Sequence, residues 1–178
     1  MDKMSAKWPA RSDGQTPDIT GCPDEPWWTR QAITWMDEHL KKDMRVFEWG
    51  AGASTPWLAA RCARLTTIEH NWEYARLAAG ALKEAGMDPV KYNVTFRPLG
   101  ASYYQCVDGE YDAMVIDGRM RVHCCQSAIR VLKSGGILLL DNAERKEYAA
   151  ARAMLSGWSV IETSNGIWQT NIWIKPNA

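Results

Sequence analysis

Four acidic positions each close a short apolar run of the sequence. They are Glu48, Glu69, Asp117 and Asp141, and the last of them is followed directly by Asn142. A single acid at the end of a strand is an ordinary solvated residue. Four acids at the ends of neighbouring strands would instead line one edge of a sheet, and charged side chains at the mouth of a crevice are what recognition of a polar ligand requires. The pattern therefore predicts one shared binding site.

A glycine turn follows the first of these acids, in the stretch RVFEWGAGAST at 45–55. Gly50 and Gly52 would let a ligand approach the backbone, since neither residue has a Cβ atom. Ser54 is expected to cap a helix that begins there, and the free N–H groups of a helix start favour anionic or polar groups. The stretch predicts a strand, a glycine turn and a helix that together bind a ligand.

The elements that must position these residues alternate between strand and helix. Apolar and β-branched runs predict strands at 45–48, 65–69, 90–97, 113–116, 137–140, 159–163 and 170–175. Apolar residues at helical spacing predict helices at about 27–40, 54–63, 74–85, 122–132 and 145–155. The segment 98–109 is expected to form only a short or irregular crossover.

Repeated strand and helix units predict an α/β fold. The expected sheet is doubly wound, mostly parallel and seven-stranded, with helices on both faces and a C-terminal antiparallel hairpin. The runs AMVI at 113–116 and ILLL at 137–140 do not alternate with polar residues, which suits strands covered on both faces. Ligands of such sheets bind outside the carboxyl ends of the strands, where the four acids are expected to lie.

Length and composition indicate a single domain at 27–178, preceded by a Pro- and Gly-punctuated irregular arm at 1–26. Basic and acidic residues both number 21, so no overall basic field argues for a nucleic-acid partner. No apolar run is long enough for a signal peptide or a membrane span, and we therefore expect a cytoplasmic location. The five cysteines include no C-x-x-C pair, which argues against a disulfide framework or a zinc site. The sequence carries no indication of the oligomeric state.

Four motifs resemble those of class I S-adenosylmethionine-dependent methyltransferases, over about residues 45–175. They are E-x-G-x-G at 48–52, the acid at 69, IDG at 116–118 and LKSGGILLLDN at 132–142. The resemblance implies that the glycines admit the cofactor, that Glu48 lies near its amino-acid end and that Glu69 binds both ribose hydroxyls. The cofactor-binding positions it implies are Glu48, Gly50, Gly52, Ser54, Glu69, His70, Gly100, Ala101 and Asp117. Two departures are Ser54 in place of a third glycine and the lack of an acid in PLGAS at 98–102.

Asp117 is the candidate catalytic residue, because methyl transfer requires an unprotonated nucleophile and this acid is best placed to accept the proton. Asp117, Asp141 and Asn142 also resemble the metal-binding positions of catechol-type, magnesium-dependent O-methyltransferases, which makes Mg²⁺ a second candidate cofactor. The lysine base of that subgroup is replaced by Gly-Arg-Met-Arg at 118–121. Arg119 and Arg121 are candidate substrate contacts, since together with Arg145 they could hold a carboxylate or phosphate.

The acceptor is expected to be a small or sugar-like molecule methylated on oxygen. Neither the N/D-P-P-Y/F motif that resembles amino-methylating DNA enzymes nor the Pro-Cys motif that resembles cytosine-C5 enzymes is present.

Two other functions stay open. One is nicotinamide-dinucleotide binding, because Glu69 follows the glycine turn at about twenty residues, although G-x-G-x-x-T at 50–55 lacks the third glycine. The other is a cofactor-binding subunit without catalysis.

Overall fold

The computed structural model describes residues 25–177. The helices are α1 (Arg30–His39), α2 (Ser54–Ala59), α3 (Trp72–Glu84), α4 (Ala101–Tyr104), α5 (Arg121–Val131) and α6 (Ala149–Met154). The strands are β1 (Arg45–Trp49), β2 (Arg64–Glu69), β3 (Tyr92–Phe96), β4 (Tyr111–Ile116), β5 (Leu132–Asp141), β6 (Ser159–Ile161) and β7 (Thr170–Ile174). Short 3₁₀ turns span Pro89–Lys91 and Lys146–Tyr148.

The seven strands form one mixed sheet in the order β3-β2-β1-β4-β5-β7-β6. The first five strands of the chain pair in parallel, and β7 runs antiparallel to both β5 and β6. The predicted seven-stranded α/β fold is thereby confirmed. The chain builds outward from β1 in one direction and from β4 in the other, so the strand order reverses between these two neighbours. A crevice forms at such a switch point, because the crossover connections leave it on opposite faces.

Alternate residues of each strand enter two separate hydrophobic cores, one on each face of the sheet. Val46, Val115 and Leu139 pack with residues of α1, α2 and α3. Met114 and Leu140, which alternate with them, pack on the opposite face with residues of α4, α5 and α6. This two-residue period, with both faces covered, explains why the central strands read as uninterrupted apolar runs. The carboxyl ends of the strands are left as the edge where polar side chains collect.

Several predicted boundaries differ from the structure for local reasons. The first helix begins at Arg30 and not near Trp27, because the Thr29 side chain accepts a hydrogen bond from the Ala32 amide and caps it. The segment predicted as an irregular crossover contains α4. The strand predicted from residue 137 begins at Leu132, since K-S-G-G at 133–136 belongs to β5. The strand predicted from residue 90 begins at Tyr92, after the 3₁₀ turn that Asp88 caps.

The predicted capping role of Ser54 is wrong. Helix α2 has Ala53 at its N-cap, with no side-chain hydrogen bond. The Ser54 hydroxyl donates to Glu48 instead, because the carboxylate lies directly beneath the helix start.

The predicted arm at 1–26 lies outside the described residues except for its last two positions. Among residues 25–177, no helix combines the length and the apolar character needed to cross a lipid bilayer.

Candidate functional site

A cavity of about 490 Å³ opens at the carboxyl ends of β1, β2, β4 and β5. Its volume falls within the range of about 300–1,000 Å³ that is typical of small-molecule sites. The lining residues come from all four strand ends and from the segment before α1: Trp27, Gly50, Ala51, Gly52, Ala53, Ser54, Glu69, His70, Asn71, Tyr74, Asp117, Gly118, Arg119, Arg121, Asp141, Asn142 and Arg145. The cavity therefore occupies the switch point of the sheet, and most of the predicted site residues meet there.

The glycine turn after β1 packs against the loop after β4. Gly50 has a φ of +99° and its amide donates to the Ile68 carbonyl at 2.9 Å. A Cβ atom on Gly50 would lie 2.5 Å from the Gly118 amide nitrogen. Gly52 is different, because a Cβ added there would meet no atom within 4 Å. One glycine of the motif thus permits two loops to touch, and the other leaves open space at the cavity wall.

Glu69 ties the end of β2 to the glycine turn. Its Oε2 accepts a hydrogen bond from the Ala51 amide at 2.7 Å, and its Oε1 accepts one from the Asn71 amide at 2.7 Å. The side chain of Asn71 in turn caps α3 by accepting from the amides of Glu73 and Tyr74. The carboxylate is only 3% exposed, yet it faces the cavity, and each of its oxygens can accept a further hydrogen bond. Glu69 is therefore both a support of the turn and an available acceptor.

His70 also lines the cavity. Its Nδ1 lies 2.7 Å from Glu69 Oε1, and its ring makes an edge contact with Tyr103 at 6.1 Å. The buried Tyr103 hydroxyl accepts from the Arg119 amide at 3.3 Å, and so it braces the loop after β4 from behind. His70 therefore lies between Glu69 and Tyr103.

Glu48 does not line the cavity. Its side chain points into the protein, where it accepts hydrogen bonds from the hydroxyls of Ser54, Thr55 and Thr67, the last two at 2.8 Å. The residue is fully buried, and this burial raises the pKa of Glu48 to about 8, although the three hydroxyls lower it and nearby Asp117 adds to the rise. Through these three hydrogen bonds, Glu48 joins β1, β2 and α2 below the glycine turn.

The buried Glu48 predicts a decline of stability with pH. The folded protein keeps a proton on Glu48 up to a pKa of about 8, whereas the unfolded chain releases it near 4.5. Stability that is present below pH 4.5 is therefore lost as the pH rises to about 8, with a slope of at most about 1.4 kcal/mol per pH unit. Glu48→Gln should remove this slope, as measured by denaturant unfolding at pH 5, 6.5 and 8. The exposed Glu84→Gln is the matched control, and an unchanged slope in Glu48→Gln would contradict the assignment.

Asp117, Arg121 and Asp141 form a charge cluster at one end of the cavity, in which Arg121 and Asp141 are buried and Asp117 is partly exposed. Arg121 Nη2 donates to Asp117 Oδ1 at 3.2 Å, and Nη1 lies 3.9 Å from Asp141 Oδ2. Burial would lower the pKa of Arg121, but Asp117 and Asp141 more than offset this and hold it raised. The indole of Trp28 donates to Asp117 Oδ2 at 3.3 Å, and the Thr170 hydroxyl donates to Asp141 Oδ1 at 2.7 Å. Both carboxylates are held by groups of the protein.

The remaining predicted residues divide between the cavity wall and its surroundings. Arg119 is exposed at the cavity, and Asn142 is buried there in a left-handed conformation with a φ of 52°. Asparagine tolerates this conformation better than most residues. Gly100 and Ala101 lie at the start of α4, outside the cavity lining. Within the described chain, no group of three or more His, Cys, Asp and Glu side chains is arranged to hold a metal ion.

Four residues in or beside the cavity were not predicted to contribute to it. Trp27 lines it and Trp28 contacts Asp117 from 89 residues away, whereas the sequence placed both in a packing helix. No local signal marks such a contact, because it depends on where α1 docks. Asn71 and Tyr74 carry a signal that could have been used, since the first turn of a helix after a strand-end acid must face the same edge.

No protein-family model and no curated protein matches the sequence. Solved structures match over most of the chain. An rRNA methylase from Streptococcus thermophilus superposes with a TM-score of 0.67 at 11% identity, covering 83% of this chain and 95% of that one. A SAM-dependent O-methyltransferase from Thermotoga maritima gives 0.66 at 16% identity, covering 83% and 64%. An O-methyltransferase from Bacillus cereus in complex with SAH gives 0.64 at 15% identity, covering 81% and 78%.

These likenesses fall at identities where only the fold is shared. The chain has the Rossmann-like fold of the class I S-adenosylmethionine-dependent methyltransferases.

Proposed function

We propose that this chain is an S-adenosylmethionine-dependent methyltransferase that methylates oxygen on a small or sugar-like acceptor. The observation that carries the proposal is the position of the Glu69 carboxylate. It faces the cavity beside the glycine turn, at the switch point of a sheet whose structural neighbours include a methyltransferase bound to SAH. A carboxylate at that point can accept hydrogen bonds from two adjacent hydroxyls, as a ribose would present.

The charges around the cavity favour this cofactor over a dinucleotide. Glu69, Asp117 and Asp141 all line the cavity, and S-adenosylmethionine carries a sulfonium and an ammonium group. A pyrophosphate would bring two negative charges toward the same carboxylates. The open space beside Gly52 gives the cofactor room to approach the backbone.

Asp117 is the proposed catalytic residue. In the transfer, the acceptor oxygen forms a bond to the methyl carbon while the carbon–sulfur bond breaks and its electron pair stays on sulfur. The hydroxyl proton must leave the acceptor, and a nearby carboxylate can take it. The Asp117 side chain is 23% exposed, whereas the Asp141 side chain is 1% exposed and Glu48 does not reach the cavity. Asp117 is thus the acid that an acceptor can contact.

The position of Arg119 favours an acceptor that carries a carboxylate or phosphate. It is exposed and lines the cavity two residues after Asp117. Arg121 is a weaker substrate contact, because its Nε, Nη1 and Nη2 all donate to backbone carbonyls of the protein. The rRNA methylase among the structural neighbours adds RNA to the acceptors that an assay should include.

Calorimetry with S-adenosylhomocysteine, S-adenosylmethionine and NAD tests the cofactor. We expect the first two to bind and NAD not to bind, and the reverse result would favour the dinucleotide reading. Methyl transfer is then measured from labelled cofactor to phenolic, sugar and anionic hydroxyl compounds and to an RNA transcript. Transfer to RNA alone would contradict a small acceptor, and cofactor binding without transfer to any acceptor would favour a catalytically inactive subunit.

Asp117→Asn separates catalysis from binding. Turnover should fall by about 100-fold or more, a much larger effect than that on S-adenosylhomocysteine affinity, because the proton acceptor is removed while Glu69 and the glycine turn remain. The exposed Asp43→Asn is the control and should behave like the wild type. Unchanged turnover in Asp117→Asn would remove this residue from the chemistry.

A further inference from the structure

The charge cluster at the end of β4 and β5 stands where a divalent metal was expected. Asp117 and Asp141 are two of the three positions that resemble metal ligands, and the third is Asn142. A magnesium ion shared by these carboxylates would need oxygen atoms at about 2.0–2.1 Å on several sides of one point. Arg121 instead extends its guanidinium to both carboxylates, with nitrogen to oxygen distances of 3.2 Å and 3.9 Å.

The guanidinium is fixed by more than its two ion pairs. Its Nε donates to the Gly118 carbonyl at 2.9 Å, Nη2 donates to the Asp117 carbonyl at 2.6 Å, and Nη1 donates to the Asp141 carbonyl. Its plane also lies near the Tyr148 ring, with the central carbon 5.2 Å from the ring centroid. Backbone carbonyls at both strand ends thus hold the arginine in place, so it cannot swing away to admit a metal without leaving several buried carbonyls unpaired.

Electrostatics leads to the same conclusion. The Arg121 guanidinium already offsets the negative charge of the two carboxylates beside it, and it would repel a divalent ion placed a few ångströms away. The residues present therefore do not fit a magnesium site. They fit a site in which a cation is already built into the protein.

We propose that Arg121 permanently supplies, at the ends of β4 and β5, the positive charge that a divalent metal would supply there, and that this protein works without a metal at that site. Arg121 is then a positioning residue, which holds the Asp117 carboxylate toward the cavity together with the Trp28 indole. The part that concerns methyl transfer rests on the proposed function. The part that concerns metal binding does not.

The direct test is a measurement of Mn²⁺ binding. Binding is monitored by the electron paramagnetic resonance signal of the free ion and by calorimetry. We expect wild-type protein not to bind Mn²⁺ tightly, whereas Arg121→Ala, which removes the guanidinium that contacts both carboxylates, should bind it at least about tenfold more tightly. Adding Asp141→Asn to that variant should remove the gained site. Arg119→Ala is the matched control, two residues away and exposed at the same cavity, and should bind Mn²⁺ no more tightly than the wild type.

Micromolar Mn²⁺ binding by the wild type, lost in Asp141→Asn, would overturn the proposal, and so would an Arg121→Ala protein that folds and binds Mn²⁺ no better than the wild type. Should Arg121→Ala not fold, the wild-type measurement decides alone. In the wild type, EDTA should leave S-adenosylhomocysteine affinity unchanged, and a loss of more than about tenfold would also overturn it. Failure of the proposed function would appear as no cofactor binding at all and would leave the Mn²⁺ result readable.

Discussion

Gly50→Ala is expected to destabilise the folded protein strongly. A Cβ atom on this residue would lie 2.5 Å from the Gly118 nitrogen, 2.6 Å from its Cα and 2.9 Å from the Asp117 carbonyl carbon. All three are backbone atoms, so no side-chain rotation can relieve the overlap. The φ of +99° adds strain of its own for a residue with a side chain. We expect a loss of about 3 kcal/mol or more in the free energy of unfolding, measured by chemical denaturation.

Gly52→Ala is the matched control for this prediction. The added methyl group meets no atom within 4 Å, and Gly52 lines the cavity. The variant should therefore keep the wild-type midpoint of thermal unfolding to within about 2 °C, yet bind S-adenosylhomocysteine more weakly, since the methyl group takes space that the cofactor needs. Wild-type stability in Gly50→Ala would show that the two loops do not pack as described. Unchanged affinity in Gly52→Ala would place the cofactor elsewhere.

Glu69→Gln is expected to reduce S-adenosylhomocysteine affinity by about 100-fold, because hydrogen bonds to a charged acceptor contribute about 1.5–3 kcal/mol each. The carboxylate accepts from the amides of Ala51 and Asn71 at 2.7 Å, and by our proposal also from two ribose hydroxyls. A glutamine can keep only one of its ends as an acceptor. Its NH₂ group would face either a backbone N–H or a ribose hydroxyl, so the variant loses a cofactor contact, a turn contact or both.

Calorimetry on Glu69→Gln should be paired with thermal unfolding, because Glu69 also supports the turn. A variant that unfolds within about 5 °C of the wild type and still loses affinity locates the effect in the cofactor contact. Glu73→Gln, an exposed change at the start of α3, is the control. Affinity within about threefold of the wild type in Glu69→Gln would exclude this residue from ribose binding.

The sequence was informative wherever the determinant was local. Apolar runs indicate the strands, and three of the four acids that close them, Glu69, Asp117 and Asp141, line one cavity because parallel strands share a direction. The sequence was misleading where two roles competed for one side chain. Ser54 has the residue type and the position of a helix cap. Its hydroxyl donates to the nearby Glu48 side chain instead, because a buried acid without hydrogen-bond partners would be costly.

Contacts between distant segments could not be predicted. Arg121 looked like a substrate contact, since nothing in its neighbourhood along the chain reveals that the end of β5, twenty residues later, supplies a carboxylate and a carbonyl to it. The same holds for Trp28, whose indole reaches Asp117 only because α1 docks near that loop. Arg121 and Trp28 each contact a residue that is distant in the sequence and close only in the folded protein.

The order in which the chain is synthesised determines when the segment before α1 can reach its final position. The Thr29 amide donates to the Thr170 hydroxyl at 3.1 Å, and the Thr29 hydroxyl contacts that of Thr163. These anchors hold the segment that carries Trp27 and Trp28 to the cavity, and they join residues up to 141 positions apart. A nascent chain emerging from the ribosome can build β1, β2 and β3 early, but it cannot fix this wall until β7 has been made. The cavity should therefore be among the last parts of the protein to mature, and chains halted before residue 170 should not bind the cofactor.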